Sequence, residues 1–278
     1  MPPLLSIIMA TKNENSLYLN KCVESILLQN FQDFNFKIII DSPEERNIKY
    51  FKQLCKKEER IELLFNYDNP GVASSRNMGI KNSMSKYIAI IDSDDFYHEN
   101  KFALQIEILE KNKNLSLVGS NLFLVDTKNK IIGERFYPEL NDQIKKEFLF
   151  KMPIANPSLV IRQKDFEEIG LFNEEYKKAE DLELWLRFLS GNKKMYNIQK
   201  KLVFYRTPQD ENEKRGREHY KNYFFALKKH GNNIWPLYQR IISLTMFYII
   251  QLLPEVFLSY LLNTSIVHKI KKIKRDRI

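Results

Sequence analysis

At 278 residues and 44% apolar, the chain has the length and composition for one large domain, or one domain with an appendage, around a real core. Two cysteines, Cys22 and Cys55, exclude a disulfide framework and read as reduced, structural thiols in helical stretches. The net charge is +9 but unevenly spread: residues 269–278 hold six Lys/Arg against one Asp, which restricts polyanionic partners to nucleic acid or an anionic membrane surface.

The first half alternates strand and helix. Leu4–Met9 reads as a strand; no positive n-region or small-residue cleavage site accompanies it, so the expectation is a first strand, not a signal peptide, in a cytoplasmic protein. Leu17–Gln29 has helical spacing at Leu19, Val23, Ile26 and Leu27. Phe36–Ile40 is expected as a buried strand, Glu44–Lys57 as a helix and Ile61–Phe65 as a strand. Ala73–Asn82 is a helix after the turn Asp68-Asn-Pro-Gly71, and Tyr87–Ile91 is the next strand. Alternation at this pitch implies βαβ units and a mainly parallel sheet, whose ligands bind at the carboxyl ends of the strands.

The pattern then loosens. Lys101–Lys111 reads as a helix, and Leu115–Val125 with Ile131–Phe136 as a hairpin around Thr127-Lys-Asn-Lys130. Asn141–Phe150 looks helical, Ser158–Ile161 extended, and Lys164–Ile169 a short helix stopped by Gly170. Asp181–Leu189 is amphipathic, with Leu182, Trp185, Leu186 and Leu189 on one face. Everything from about Glu211 looks helical, and the composition shifts near residue 215.

The chemistry-bearing run is Tyr87-Ile-Ala-Ile-Ile-Asp-Ser-Asp-Asp95. An apolar strand ends in three carboxylates, which repel one another and are costly to desolvate. One reading is a polar turn capping the next helix, which needs only one Asp; the other is a hard cation such as Mg²⁺ or Mn²⁺ held in oxygen ligands, and spacing alone leaves both open. The four His, at 98, 219, 230 and 268, show no metal-ligand spacing.

Five motifs occur in order: Ser6-Ile-Ile-Met-Ala-Thr-Lys-Asn13, Ser25-Ile-Leu-Leu-Gln29, Asn69-Pro-Gly-Val-Ala-Ser-Ser-Arg-Asn-Met-Gly79, the acidic run, and Glu180-Asp181-Leu-Glu-Leu-Trp-Leu-Arg187. Together they resemble family 2 glycosyltransferases of the GT-A fold, over roughly residues 4–206. The resemblance implies an α/β GT-A fold, a Rossmann-like, mainly parallel sheet flanked by helices, with a C-terminal helical extension. It implies a nucleotide-sugar domain over 1–215 (a donor-binding half at about 1–112, an acceptor-binding half at 113–215), followed by a helical region with a basic tail at 216–278. The implied activity is inverting, metal-assisted sugar transfer from a nucleotide sugar, UDP by default, to a glycan or lipid-linked acceptor.

Carried over by position, Asp95 resembles the direct Mn²⁺ or Mg²⁺ ligand and Asp94 the ribose contact beside that metal. Asp92 either reaches the metal through water or only supports the turn. Asp181 matches the catalytic base, with Glu180 raising its proton affinity; capping of the helix is the alternative. Thr11, Lys12 and Asn13 line the donor pocket, with Arg76 and Asn77 close to it. Asp41 is the candidate for reading the base, and Arg206 reaches a phosphate or serves structurally. Asn156 and Ser158 fall on the acceptor side. The chain departs from the family pattern at Ala10 and Lys12, in the short Asp41-Ser42-Pro43 segment, and at Thr207, where a His is common.

A sugar nucleotidyltransferase should show a Gly-rich first loop, which Ala10-Thr-Lys-Asn-Glu-Asn15 lacks. A non-catalytic, membrane-associated binding module would not need Asp94, Asp95 and Asp181 together. The tail alternates Lys with Ile after an apolar stretch, unlike the basic–aromatic interleaving of a nucleic-acid binder. Between Arg240 and His268 the only charge is Glu255, and Pro254-Glu255 splits the stretch into runs too short to span a bilayer. The expectation is peripheral contact with the anionic inner face of the membrane, set against helices packed on the core with a solvated tail.

Overall fold

The computed structural model describes residues 2–12, 14–42, 45–207 and 217–254. Its strands are β1 (Leu5–Thr11), β2 (Phe34–Asp41), β3 (Ile61–Asn66), β4 (Tyr87–Asp92), β5 (Phe96–Tyr97), β6 (Leu115–Val125), β7 (Ile131–Arg135), β8 (Val160–Arg162) and β9 (Lys194–Arg206). The helices are α1 (Ser16–Leu27), α2 (Glu45–Cys55), α3 (Val72–Lys81), α4 (Lys101–Lys111), α5 (Asn141–Glu147), α6 (Gln163–Ile169), α7 (Glu180–Ser190), α8 (Arg217–His230) and α9 (Leu237–Leu252).

One sheet runs β3-β2-β1-β4-β8-β6-β9-β5, with β7 paired to β6. β1–β4 are mutually parallel, β8 is antiparallel to β4 and β6, and β9 runs parallel to β6. The chain moves outward from β1 through β2 to β3, then crosses to β4 on the other side of β1. This is the strand-order reversal at which α/β sheets open a ligand crevice.

Side-chain alternation distributes the sheet between two cores. Ile7, Ile38, Ala89 and Ile91 pack under α1, α4 and Phe51 of α2. Ile8, Ile39, Ile88 and Ile90 pack under α3, α6, α7 and the pair α8–α9. Both faces are covered, as near-continuous apolar strands require.

Gly79 lets α3 lie close to the sheet. A Cβ there would sit 2.6 Å from Ile8 Cγ2 and 2.9 Å from Ile39 Cδ1. Gly79→Val is therefore expected to lose about 1–3 kcal/mol in chemical denaturation through overpacking. Unchanged stability would mean that α3 can move off the sheet freely.

The expected elements are present, with ends shifted by a few residues. The strand β9 was not expected from the sequence. It shifts register against β6 at three points, and Gln199 and Lys200 fall at one of them, exposed. Such irregularities break the period-2 signal. Over the described residues 217–254 the chain is helical in α8 and α9, as expected; Tyr223 and Leu227 of α8, Trp235 of their connection and Phe247 of α9 join the core. No helix among the described residues is long and apolar enough to cross a membrane. The second apolar run after Pro254 and the basic stretch 269–278 lie outside the described residues.

Candidate active site

The acids sit where β4 ends, and the β1–β4 register puts Ala10 beside Asp92. The first loop and the acidic turn thus share the crevice, and Ser93 Oγ approaches Glu14 Oε2 at 3.4 Å. The Tyr97 hydroxyl grips the Asp92 backbone, accepting from its N–H at 3.0 Å and donating to its carbonyl at 3.2 Å. Cys22 Sγ donates to the same carbonyl at 3.5 Å. With the backbone fixed, the carboxylates of Asp92, Asp94 and Asp95 converge, one ligand oxygen from each lying within 4.8 Å of the others. Asp95 is fully buried; Asp92 and Asp94 are partly exposed. An all-oxygen, mutually repulsive set of this kind fits Mg²⁺ or Mn²⁺.

Arg206, at the end of β9, braces this turn. Its N–H donates to Asp95 Oδ1 at 2.8 Å, and its Nε to the Asp94 carbonyl at 2.9 Å. Nη1 and Nη2 bind the Asp126 carbonyl at 2.7 Å and Asn129 Oδ1 at 2.6 Å, and the guanidinium stacks on Tyr18 at 3.7 Å. Of the two roles expected from the sequence, these contacts describe the structural one.

Asp41 ties the end of β2 to the start of α3, its Oδ1 accepting from the Gly71 N–H at 3.0 Å and from Ser75 Oγ at 3.3 Å. Thr11 is buried at the end of β1, its hydroxyl without a hydrogen-bond partner among the described residues. Lys12 is exposed, and Asn13 lies outside the described residues. Asn77 faces a different task from the donor contact expected of it. Its amide donates to the Phe172 carbonyl at 2.9 Å and Glu174 Oε1 at 2.8 Å, and it accepts from the Phe172 N–H at 2.9 Å. It thereby stitches the loop after Gly170 to α3.

Arg76 is the link between the two acidic groups of the site. Its Nη2 donates to Asp92 Oδ1 at 3.1 Å and its Nη1 to Glu180 Oε1 at 2.7 Å, with the side chain only 8% exposed. Glu180 opens α7, after Ala179 in the left-handed conformation (φ 62°). Since Ala179 occupies the cap position, Asp181 does not cap the helix; its Oδ1 accepts from the Leu182 N–H at 2.8 Å. Burial, and then the charge of Glu180, push the Asp181 carboxyl up to about 7, with Arg76 pulling the other way.

On the expected acceptor side, Asn156 is buried in a 3-10 turn, and both polar atoms of its amide lack protein partners among the described residues. Buried amides rarely stay unsatisfied, so this one fits a ligand contact. Ser158 is structural in its contacts, donating to the Ala155 carbonyl at 2.7 Å and accepting from the Ser120 N–H at 3.2 Å.

Sequence reasoning missed Tyr97, Tyr18 and the α8 pair Asn222–Tyr223. Tyr97, two residues beyond Asp95, was within reach of a motif reading; the α8 residues carry no local signal. Asn222 Nδ2 donates to the Lys178 carbonyl at 2.8 Å, next to the turn that sets Asp181. Tyr223 has its phenol pushed well up by burial and by the Asp181 charge.

The family model described as "Glycosyl transferase family 2" matches residues 6–170. An uncharacterized glycosyltransferase of Methanocaldococcus jannaschii is 30% identical over 274 residues, covering 94% of this chain and 93% of that protein. One from Rickettsia felis is 32% identical over 172 residues, covering 62% of this chain but only 28% of that protein. Among solved structures, Staphylococcus aureus TarS 1–349 in complex with UDP-GlcNAc superposes with a TM-score of 0.68 at 15% identity, over 88% of this chain and 71% of TarS. The same TarS fragment in complex with UDP gives 0.65. The architecture is therefore the GT-A fold, and the chain belongs to glycosyl transferase family 2.

Proposed function

We propose that the protein is an inverting, divalent-metal-dependent glycosyltransferase. It moves a sugar from a UDP-sugar to a glycan or lipid-linked acceptor in bacterial surface polysaccharide synthesis, such as lipopolysaccharide or capsule, at the inner face of the cell membrane. The donor site draws on residues 1–112, the acceptor site on 113–215, and the helices after 216 face the membrane. The observation that carries the reaction class is the pairing of a convergent Asp92–Asp94–Asp95 cluster with a buried Asp181 whose carboxyl is pushed up to about 7, joined by Arg76. The binding of UDP and UDP-GlcNAc by TarS supports UDP as the donor nucleotide.

Asp94 and Asp95 would hold the Mn²⁺ or Mg²⁺, with Asp92 beside them, and the ion bound there would supply positive charge against the diphosphate leaving group. Asp181 takes the proton of the acceptor hydroxyl as its oxygen attacks the anomeric carbon, and the electron pair of the broken C–O bond leaves with UDP. A group near pKa 7 suits this task, since it is partly ionised at neutral pH and still basic. The test is UDP release from a panel of UDP-sugars with Mn²⁺. Release that chelator abolishes is expected; no release and no UDP binding with any of them would sink the reading.

Arg76→Gln carries a further expectation. Glu180 and Asp92 lose their shared cation, and so does the Asp181 carboxyl that Arg76 holds down. The acidic limb of kcat/KM should move about one unit to higher pH, and stability should fall by about 3 kcal/mol. A pH profile with an unmoved midpoint would show that Arg76 is not coupled to the base.

A further inference from the structure

We infer that the outer face of α9 docks on an anionic lipid bilayer, and that the acceptor is lipid-linked and reaches Asp181 from that surface. The acceptor class rests on the transferase reading; the docking surface does not.

The inner face of α9 is spent on the protein. Phe247 stacks on Tyr223 at 4.3 Å, and Ser243 Oγ donates to the Leu149 carbonyl. The opposite face carries Leu237, Tyr238, Ile241, Ile242, Ile249 and Leu252, each more than half exposed. Their spacing puts them on one arc of the helix, and the one charged residue of α9 is Arg240. Apolar patches beyond roughly a few hundred Å² mark interaction surfaces rather than ordinary exposure.

Charge identifies the occupant. The chain continues for residues 255–278, in which the single Glu255 is followed by the charge-free run Val256–Val267 and then by six Lys/Arg against one Asp. On the structure itself, the exposed Lys228 and Lys229 lie in the last turn of α8, and Arg217 reaches the Leu253 carbonyl at 3.0 Å. A second copy of the chain would cover the apolar face but gives no partner to this positive charge. The apolar run folding back would cover it too, and would leave the cations equally unused. An anionic bilayer satisfies both: the apolar face enters the headgroup–acyl boundary, and the nearby cations meet the anionic headgroups. At 16 residues α9 lies in the interface instead of crossing it.

The same helices back onto the catalytic base. Phe247 of α9 touches Tyr223 of α8, which senses the charge of Asp181, and Asn222 holds the Lys178 carbonyl just before Glu180. Asp181 is thus about two helix layers from the docking face, roughly 20 Å at the usual interaxial spacing. An acceptor whose sugar headgroup projects from the bilayer spans that depth; a freely diffusing glycan gains nothing from the docking.

The experiment uses the full chain with phosphatidylcholine vesicles, with and without phosphatidylglycerol. The wild type should co-sediment with the anionic vesicles, and the double variant Ile242→Glu, Ile249→Glu should lose at least tenfold in partition. Its thermal shift with UDP and Mn²⁺ should stay unchanged, which shows that it folds. A wild type that stays in the supernatant, or a double variant that sediments equally well, overturns the docking surface. So does a wild-type dimer that the double variant converts to monomer. With labelled UDP-sugar and isolated membranes, label should enter the lipid-extractable fraction and fall at least tenfold in the double variant; label confined to the aqueous glycan overturns the acceptor class. Loss of the UDP response in wild type would instead sink the transferase reading and leave vesicle binding as the separate result.

Discussion

Asp95→Ala is expected to lower the rate of metal-dependent UDP release by at least ~100-fold, the scale for removing one electrostatic stabiliser of a developing anion. Asp95 is the fully buried member of the acidic cluster, so its charge is the least screened by water. It also has a structural task, accepting the Arg206 N–H at 2.8 Å, and Ala loses both. Asp95→Asn separates them, since the amide oxygen still accepts that N–H while the charge is gone. Both variants should be inactive and weakened in Mn²⁺-dependent UDP binding, measured by calorimetry. In the absence of metal, Asp95→Asn should melt no lower than the wild type, because it removes one of three mutually repelling carboxylates. Asp92→Asn should cost less activity, as Asp92 is partly exposed and already shares its charge with Arg76. Full activity in Asp95→Ala would overturn the assignment of the cluster.

What the sequence showed and what it hid follow from the range of the interactions. β1, β2 and β4 are buried apolar runs with turn residues at their ends, and local pattern suffices for them. The acidic turn and Glu180-Asp181 were legible as motifs, because their chemistry is written in consecutive residues. The Arg76 bridge was not, because it joins residues 76, 92 and 180 across three elements. The sequence offers Arg206 both a phosphate contact and a structural role, and only the pairing of β9 with β6 brings its guanidinium to Asp94, Asp126 and Asn129. Asn77 shows the converse: its place in a family motif suggested the donor, while its hydrogen bonds go to Phe172 and Glu174. The exposed arc of α9 was hidden for a further reason, since an all-round apolar helix in sequence does not say which face finds a partner.

Asp181→Asn should pull activity and stability in opposite directions. The neutral amide cannot take the acceptor proton, so kcat should fall by about 10²–10⁴-fold. Burial and Glu180 raise the carboxyl from its ordinary 3.8 to about 7 in the folded protein. Between those two values the folded state keeps a proton that the unfolded chain has released. Stability therefore falls as pH rises from about 4 to 7, and the loss is complete above the folded-state value. The variant lacks this term, so it should be the more stable protein at pH 8, by on the order of a few kcal/mol, with little difference at pH 4. The wild-type kcat/KM should rise with pH and level off near the same pKa of about 7 that stability reports. Agreement between the two profiles would tie the base to the buried carboxyl, because a carboxylate that merely supported α7 would give a variant that is less stable and still active. That second outcome, read from paired melting and rate curves, would remove Asp181 from the chemistry.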